Sequence, residues 1–303
     1  MKKMPVIIKS IVSIGHQDSF QKYNIWETLI PLEHSSEIIA PDYKAYIPSA
    51  SLRRFSPVLR MALTAAQVCQ NETEIPFDSI SVGTSLGCLK DTEKFLQTFI
   101  TSTGDTLSPT SFIQSTHNTI AGAISIALNN HAYNMTHTQN SLSFETALID
   151  GLMCVSEGKQ NVLVGAADEA IDFLNLLTPQ IINSDLPLTS GVTLLAIQPE
   201  KPGSGKRIID CTINTNNKNT EETILQFLEK NQINSTSIDL ILYAGEIPKI
   251  IENQINYEKY TGLYFSSVAF AVHMANDYSI KDNKYILIVN HQINGKLGLT
   301  LIQ

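Results

Sequence analysis

The chain has 303 residues, 43% hydrophobic and 17% charged, enough to bury a large core in one domain or two. A formal charge of −8 with no basic block argues against a nucleic-acid partner. No apolar run approaches the roughly 18 residues of a membrane span.

Cys69, Cys88, Cys154 and Cys211 lie far apart without a CxxC pair. Small buried thiols in a reduced, cytoplasmic protein are therefore expected, rather than disulfides. The start, MKKMPVIIKSIVSIG, joins a basic end to an apolar run. Lys9 and Ser10 interrupt that run and no small-residue cleavage site follows, so residues 5–14 read as a strand and not a signal peptide. Residues 40–56 form a polar, proline-containing loop ending in Arg53-Arg54. Pro57 suits the first turn of a helix, with Val58, Met61, Ala62, Ala65, Val68 and Cys69 as its buried stripe. A short strand is expected at Ile80–Val82, then the small-residue turn Gly83-Thr84-Ser85-Leu86-Gly87. That turn lacks the Lys-Ser/Thr pair of a phosphate-binding loop, which argues against nucleotide binding. From Leu86 to about Ile100 a helix carries Leu86, Leu89, Thr92, Phe95, Leu96 and Phe99 on one face.

The stretch Pro109–Glu169 organises the rest. It holds two helix patterns joined by a polar, extended linker. In the second, Phe144, Ala147, Leu148, Gly151, Leu152 and Val155 recur at helical spacing. Asn140, Ser141 and Ser143 are placed to cap its start, and Gly158 sits where a left-handed residue would stop it. Val162-Leu163-Val164-Gly165 reads as a short buried strand. After a loop, residues 191–197 read as a further strand, and KPGSG (201–205) as a linker. Strands are then expected at Arg207–Thr212, Asp239–Tyr243, Tyr285–Asn290 and Gly298–Ile302, with helices at Thr220–Lys230 and Gly262–Asn276.

The order small-residue helix, strand, tight turn, buried helix, glycine, strand resembles the core of the β-ketoacyl synthases of the thiolase fold. Gly83–Gly87 resembles their GTGxGG-like turn. Counting from Asn118-x-x-Ala121-Gly122 or back from Gly158 places the family's nucleophilic cysteine at Ser141. Leu242-Tyr243-Ala244-Gly245-Glu246 matches the first histidine motif and puts Ala244 at the histidine. Glu258-Lys259-Tyr260-Thr261-Gly262-Leu263 matches the second, with Leu263 at the histidine and Glu258 at the lysine. Ile293-Asn294-Gly295-Lys296 takes the place of the family's late glycine-rich loop. SLRRFSPVLRMALTAAQ, GTSLGCLKDTEKFL and PTSFIQSTHNT resemble the chain-length-factor proteins of bacterial aryl polyene and flexirubin-type pigment clusters.

The resemblance implies an α/β, thiolase-like fold of two duplicated βαβ-rich halves, 1–200 and a shortened 205–303, layered α-β-α-β-α. It implies a subunit without condensing chemistry of its own, since condensation needs a thiolate and two histidines. A helix N-terminus can activate a thiol but cannot bring the Ser141 hydroxyl near neutrality. The implied partner is an active β-ketoacyl synthase, which would also supply most of the contact with acyl carrier protein. Leu86, Leu89, Thr92, Phe95, Leu96, Thr110, Ser111 and Phe112 would wall the shared acyl tunnel. No cofactor or metal is implied.

Rival readings exist for the same residues. His117, His131 and His137 have no zinc-ligand spacing. The apolar stripe from Leu86 is equally well read as ordinary core packing. Ser141 with a histidine and Asp150 or Asp168 would suit a hydrolase or acyltransferase. Against this, a G-x-S-x-G elbow is absent and Asp150 should point away along its helix.

Overall fold

The computed structural model describes residues 5–33, 36–102, 108–181, 184–200, 205–215, 219–246, 248–291 and 296–303. The apolar start forms β1 (Val6–Ile14), as expected. The 40–56 loop contains a 3-10 turn at Tyr43–Ala45 and a short helix, α1 (Ser49–Leu52). Then follow α2 (Pro57–Thr73), β2 (Ser79–Gly83), α3 (Leu89–Thr101), α4 (Pro109–Gln114) and α5 (Thr119–Ala127). The central stretch continues as β3 (Tyr133–His137), α6 (Ser143–Ser156) and β4 (Val162–Asp168). After α7 (Asp172–Ile181) come β5 (Gly191–Pro199), β6 (Arg207–Asn214), α8 (Thr220–Lys230) and β7 (Ile238–Ala244). The chain closes with β8 (Gln254–Asn256), α9 (Glu258–Thr261), α10 (Val268–Asp277), β9 (Tyr285–His291) and β10 (Leu297–Ile302).

Ten strands follow one another in the order β3-β2-β4-β5-β1-β6-β10-β9-β7-β8. The first five and the last five repeat one pattern. β2 runs parallel to β3 and β4, which is followed by antiparallel β5 and β1. Likewise β7 runs parallel to β8 and β9, followed by antiparallel β10 and β6. Among the described residues the two sets are joined where Val6 and Ile7 pair with Ile208 and Arg207.

Each set is covered on both faces, which explains the continuous apolar run of β4, buried from Val162 to Asp168. α2 and α5 close the outer face of the first set, with Val58, Met61, Ile120 and Ile124 packed on Ile80, Val82 and Leu163. α6 and α10 lie between the sets, where Phe144, Leu148, Ala271 and Met274 share one core with Val164, Leu195, Leu242 and Ile286. α8 covers the outer face of the second set through Ile224, Phe227 and Leu228. All four cysteines are free thiols in these layers.

Several expectations need correction. The helix expected from Leu86 begins at Leu89, because Gly87 has φ +64° and interrupts it. None of its residues is buried, so its stripe is not ordinary core packing in the isolated chain. The helix expected from Gly262 begins at Val268, since Gly262 has φ +66° and an added Cβ would meet Thr189 and the Pro187 carbonyl. α6 starts after Leu142 without a side-chain cap. Instead Ser143 Oγ accepts from Gln139 N at 2.8 Å and donates to Asn140 O at 2.6 Å, bracing the turn before the helix. Gly158 does follow α6 in the left-handed region, at φ +103°. α7, β8 and α9 were not legible as elements; they are short and their apolar residues follow no clean period. The KPGSG linker, except Gly205, and Ile293-Asn294-Gly295 lie outside the described residues.

Candidate functional site

The turn before α6 carries Ser141, and Asn140 enters it at φ +52°, a conformation asparagine tolerates. Ser141 opens onto a cavity of about 340 Å³ at the ends of β4, β7 and β9. Glu258 and Leu263 line the same cavity, with Gly245 beside them. Ala244 lies just behind, 3% exposed at the end of β7. Three of the four positions picked out by motif therefore share one cavity and the fourth lies beside it, though they come from three segments of the chain.

Two further residues arrive at the end of β9. Asn290 Nδ2 donates to Ser141 O and to Glu145 Oε1, each at 2.8 Å, tying the second strand set to the α6 turn. His291 also lines the cavity, with Nδ1 4.0 Å from Glu246 Oε2. Neither was singled out from sequence. The available signal was their place at the C-terminal end of a buried strand, where α/β sheets present ligand-facing groups.

The end of β4 supplies Asp168 and Glu169. Asp168 Oδ1 accepts from Thr84 Oγ1, Ser85 N and Leu86 N at 2.9, 2.8 and 3.0 Å, which holds the Gly83–Gly87 turn closed. Glu169 Oε1 accepts from Lys90 N at 3.0 Å in the first turn of α3. Both carboxyls line the cavity. Burial raises the Asp168 carboxyl above its ordinary range and pushes Glu169 up to about 7. Burial also raises Glu258, despite a bond from Gly245 N at 3.4 Å.

The remaining candidates are spread more widely. Leu86 lines the cavity, whereas Leu89, Thr92, Phe95 and Leu96 follow on α3. Thr110, Ser111 and Phe112 lie on α4, and the Phe95 and Phe112 rings meet at 5.7 Å. Phe112 is 57% exposed. Asp150 is committed elsewhere: Oδ2 lies 3.1 Å from His137 Nε2 and Oδ1 accepts from Tyr133 OH at 3.0 Å, both on β3. It does not face the Ser141 cavity. Among the described residues no three His, Cys, Asp or Glu side chains are grouped to hold a metal ion, and no helix is long and apolar enough to cross a membrane.

One buried acid gives the site a measurable signature. Glu145, one helical turn after Ser141, is fully enclosed, and burial pushes its carboxyl from 4.5 up to about 7. The folded state then holds an extra proton between those values. This contribution is complete below about pH 4.5 and is lost as pH rises through 7, on the order of 3 kcal/mol in all. His273 works in the opposite sense. Burial lowers its imidazole to about 4, so its contribution is complete above about 6.5 and is lost as pH falls toward 4. Thermal melts of the wild type should show stability declining from pH 6 to 8. Glu145→Gln, which preserves the Asn290 contact, should reduce that decline and leave the part due to Glu169; an unchanged slope would remove Glu145 as a source.

Comparison with known proteins gives consistent findings. The family described as "Beta-ketoacyl synthase, N-terminal domain" matches residues 30–238, more than half of the chain. No curated protein matches the sequence. Solved structures share the fold at low identity. "The ishigamide ketosynthase/chain length factor" is 13% identical with a TM-score of 0.79, over 98% of this chain and 99% of that one. "AntDE:AntF (apo): type II PKS acyl-carrier protein in complex with its ketosynthase bound to the hexaketide" is 13% identical with a TM-score of 0.81, over 99% of each. "Ketosynthase (ApeO) in Complex with its Chain Length Factor (ApeC) from Xenorhabdus doucetiae" is 20% identical with a TM-score of 0.54, over 70% of this chain and 84% of that one. The duplicated strand order, the α6 turn at the mouth of the cavity and the match over residues 30–238 agree: this chain belongs to the β-ketoacyl synthase family.

Proposed function

We propose that this chain is a non-catalytic chain-length-factor subunit that pairs with an active β-ketoacyl synthase and shapes its acyl tunnel, as in type II polyketide pathways of the aryl polyene kind. The observation that carries this reading is a ketosynthase-like fold in which the four positions we assign to the chemistry hold Ser141, Ala244, Leu263 and Glu258. A hydroxyl, a methyl, an isobutyl group and a carboxyl provide neither thiolate nor enolate stabilisation. We place the two halves at 1–200 and 205–303, and the protein in the cytoplasm.

Exposed apolar side chains support a missing partner. Phe99 and Ile100 of α3 are 58% and 78% exposed, Ile126 of α5 is 84% exposed, and Tyr133 and Met135 stand out from the edge strand β3. A parallel edge strand with such residues is a template for pairing with another chain. With a charge of −8, this chain is poorly suited to bind an acidic carrier protein, so docking falls mainly to the ketosynthase.

A second reading, an acyltransferase or hydrolase using Ser141, draws on His291 lining the same cavity. Reconstitution separates the two. The chain co-expressed with its ketosynthase should co-elute, and carrier-bound products should lengthen with Phe112→Ala or Phe95→Ala and shorten with Ser111→Phe. Each further buried methylene gains only about 0.8 kcal/mol, whereas overpacking a closed end costs about 1–3 kcal/mol. Separate elution would defeat the pairing. Unchanged product length in an intact complex would defeat the tunnel role, and an acyl adduct on Ser141 by intact mass would favour the second reading.

A further inference from the structure

The vestigial cavity has a composition of its own. Leu86, Leu174, Leu188, Leu263 and Phe265 give it apolar walls. Its polar end is rich in acceptors: Asp168, Glu169 and Glu258 all line it, and no lysine or arginine does among the described residues.

The side-chain donors that line it are the hydroxyls of Ser141, Ser184, Thr189, Tyr264 and Ser267 and the His291 ring. Asn290 commits Nδ2 to Ser141 O and Glu145 Oε1. Its Oδ1 takes part in no hydrogen bond among the described residues. Glu258 receives only the long 3.4 Å bond from Gly245 N, on Oε2, and its Oε1 has no partner among the described residues. Both residues line an apolar cavity of ligand-binding size. A carboxylate placed there would meet three carboxyls with no lysine or arginine among the described residues to offset them, whereas a donor head would pair with Glu258 and Asn290.

We propose that this cavity binds an apolar chain with an uncharged or cationic, hydrogen-bond-donating head, and rejects carboxylates. Glu258 and Asn290 hold the head, and the leucine walls hold the chain. The inference concerns the isolated chain and does not depend on pairing with a ketosynthase.

Saturation-transfer NMR on the isolated chain at pH 7.5, with hexylamine, hexanamide and hexanoate as probes, tests it. Hexylamine and hexanamide should bind, and hexanoate should bind at least about tenfold more weakly. Glu258→Gln should reduce the hexylamine preference, and Glu258→Lys should reverse it toward hexanoate. Leu263→Trp should block all three probes, with thermal melts reporting that each variant is folded. Absence of hexylamine and hexanamide binding at millimolar concentration would overturn the proposal, as would equal binding of hexanoate or a probe order unmoved by Glu258→Gln. Co-elution with a ketosynthase is read separately, so failure of the pairing leaves this result intact, and the reverse.

Discussion

Gly83→Ala should destabilise the protein by about 3 kcal/mol, the upper end of ordinary overpacking. An added Cβ at Gly83 would lie 2.4 Å from Ser143 O, 2.5 Å from Ser143 C and 2.8 Å from Phe144 N. All three are backbone atoms of the first turn of α6, so no side-chain rotation relieves the contact. Either β2 or the start of α6 must shift, and the second choice carries the Ser141 turn with it. For a domain of this size the melting temperature should fall by about 5–10 °C. Gly122→Ala provides the contrast, because nothing lies within 4 Å of an added Cβ there and the site is within α5. Helix propensity should make that variant about 0.5–1 kcal/mol more stable. Similar melting temperatures for both variants would mean that the α6 turn yields more readily than its backbone contacts indicate.

The second large effect is expected at the exposed aromatic cluster of α3 and α4. Phe99 and Phe112 are 58% and 57% exposed, and both rings pack against Phe95, at 6.4 and 5.7 Å. If a ketosynthase covers this surface, placing a carboxylate at each position buries charge without a counterion. Phe99→Asp with Phe112→Asp should weaken pairing at least 100-fold, the scale of losing central aromatic anchors. The fold of the isolated chain should be nearly unaffected, since neither residue belongs to a buried core. Leu225→Asp is the matched control: it is 49% exposed on α8, the outer layer of the second strand set. Co-elution retained by the double variant would place the interface elsewhere. Co-elution lost equally in the Leu225 control would show general surface damage instead.

Elements whose order is written in local periodicity were legible. α2 and α8 follow from apolar spacing, and α2 also from a leading proline. β4 and β5 follow from short apolar runs bounded by small residues. Where a glycine takes a positive φ, local pattern misled, because apolar residues before Gly87 and after Gly262 continue a helical spacing that the backbone does not. Conversely, β8 exists because β7 gives it a strand to pair with, which a window of sequence does not contain.

The chemistry divides along the same line. Under the proposed correspondence, residue identity alone puts serine, alanine, leucine and glutamate in the places of the family's cysteine, histidines and lysine. Those identities set which bonds can be made, whatever the fold. Tertiary structure alone decided what those residues share: Asn290 reaches across 149 positions to the carbonyl of Ser141, and three carboxyls converge on one apolar cavity. It also decided that Leu96 and Phe99 of the α3 stripe are exposed, and that Asp150 is held by β3 rather than by the cavity. The reason is physical. Hydrogen-bond partners and desolvation depend on distances between segments remote in the chain, and those distances come into being only when the two strand sets close on α6 and α10.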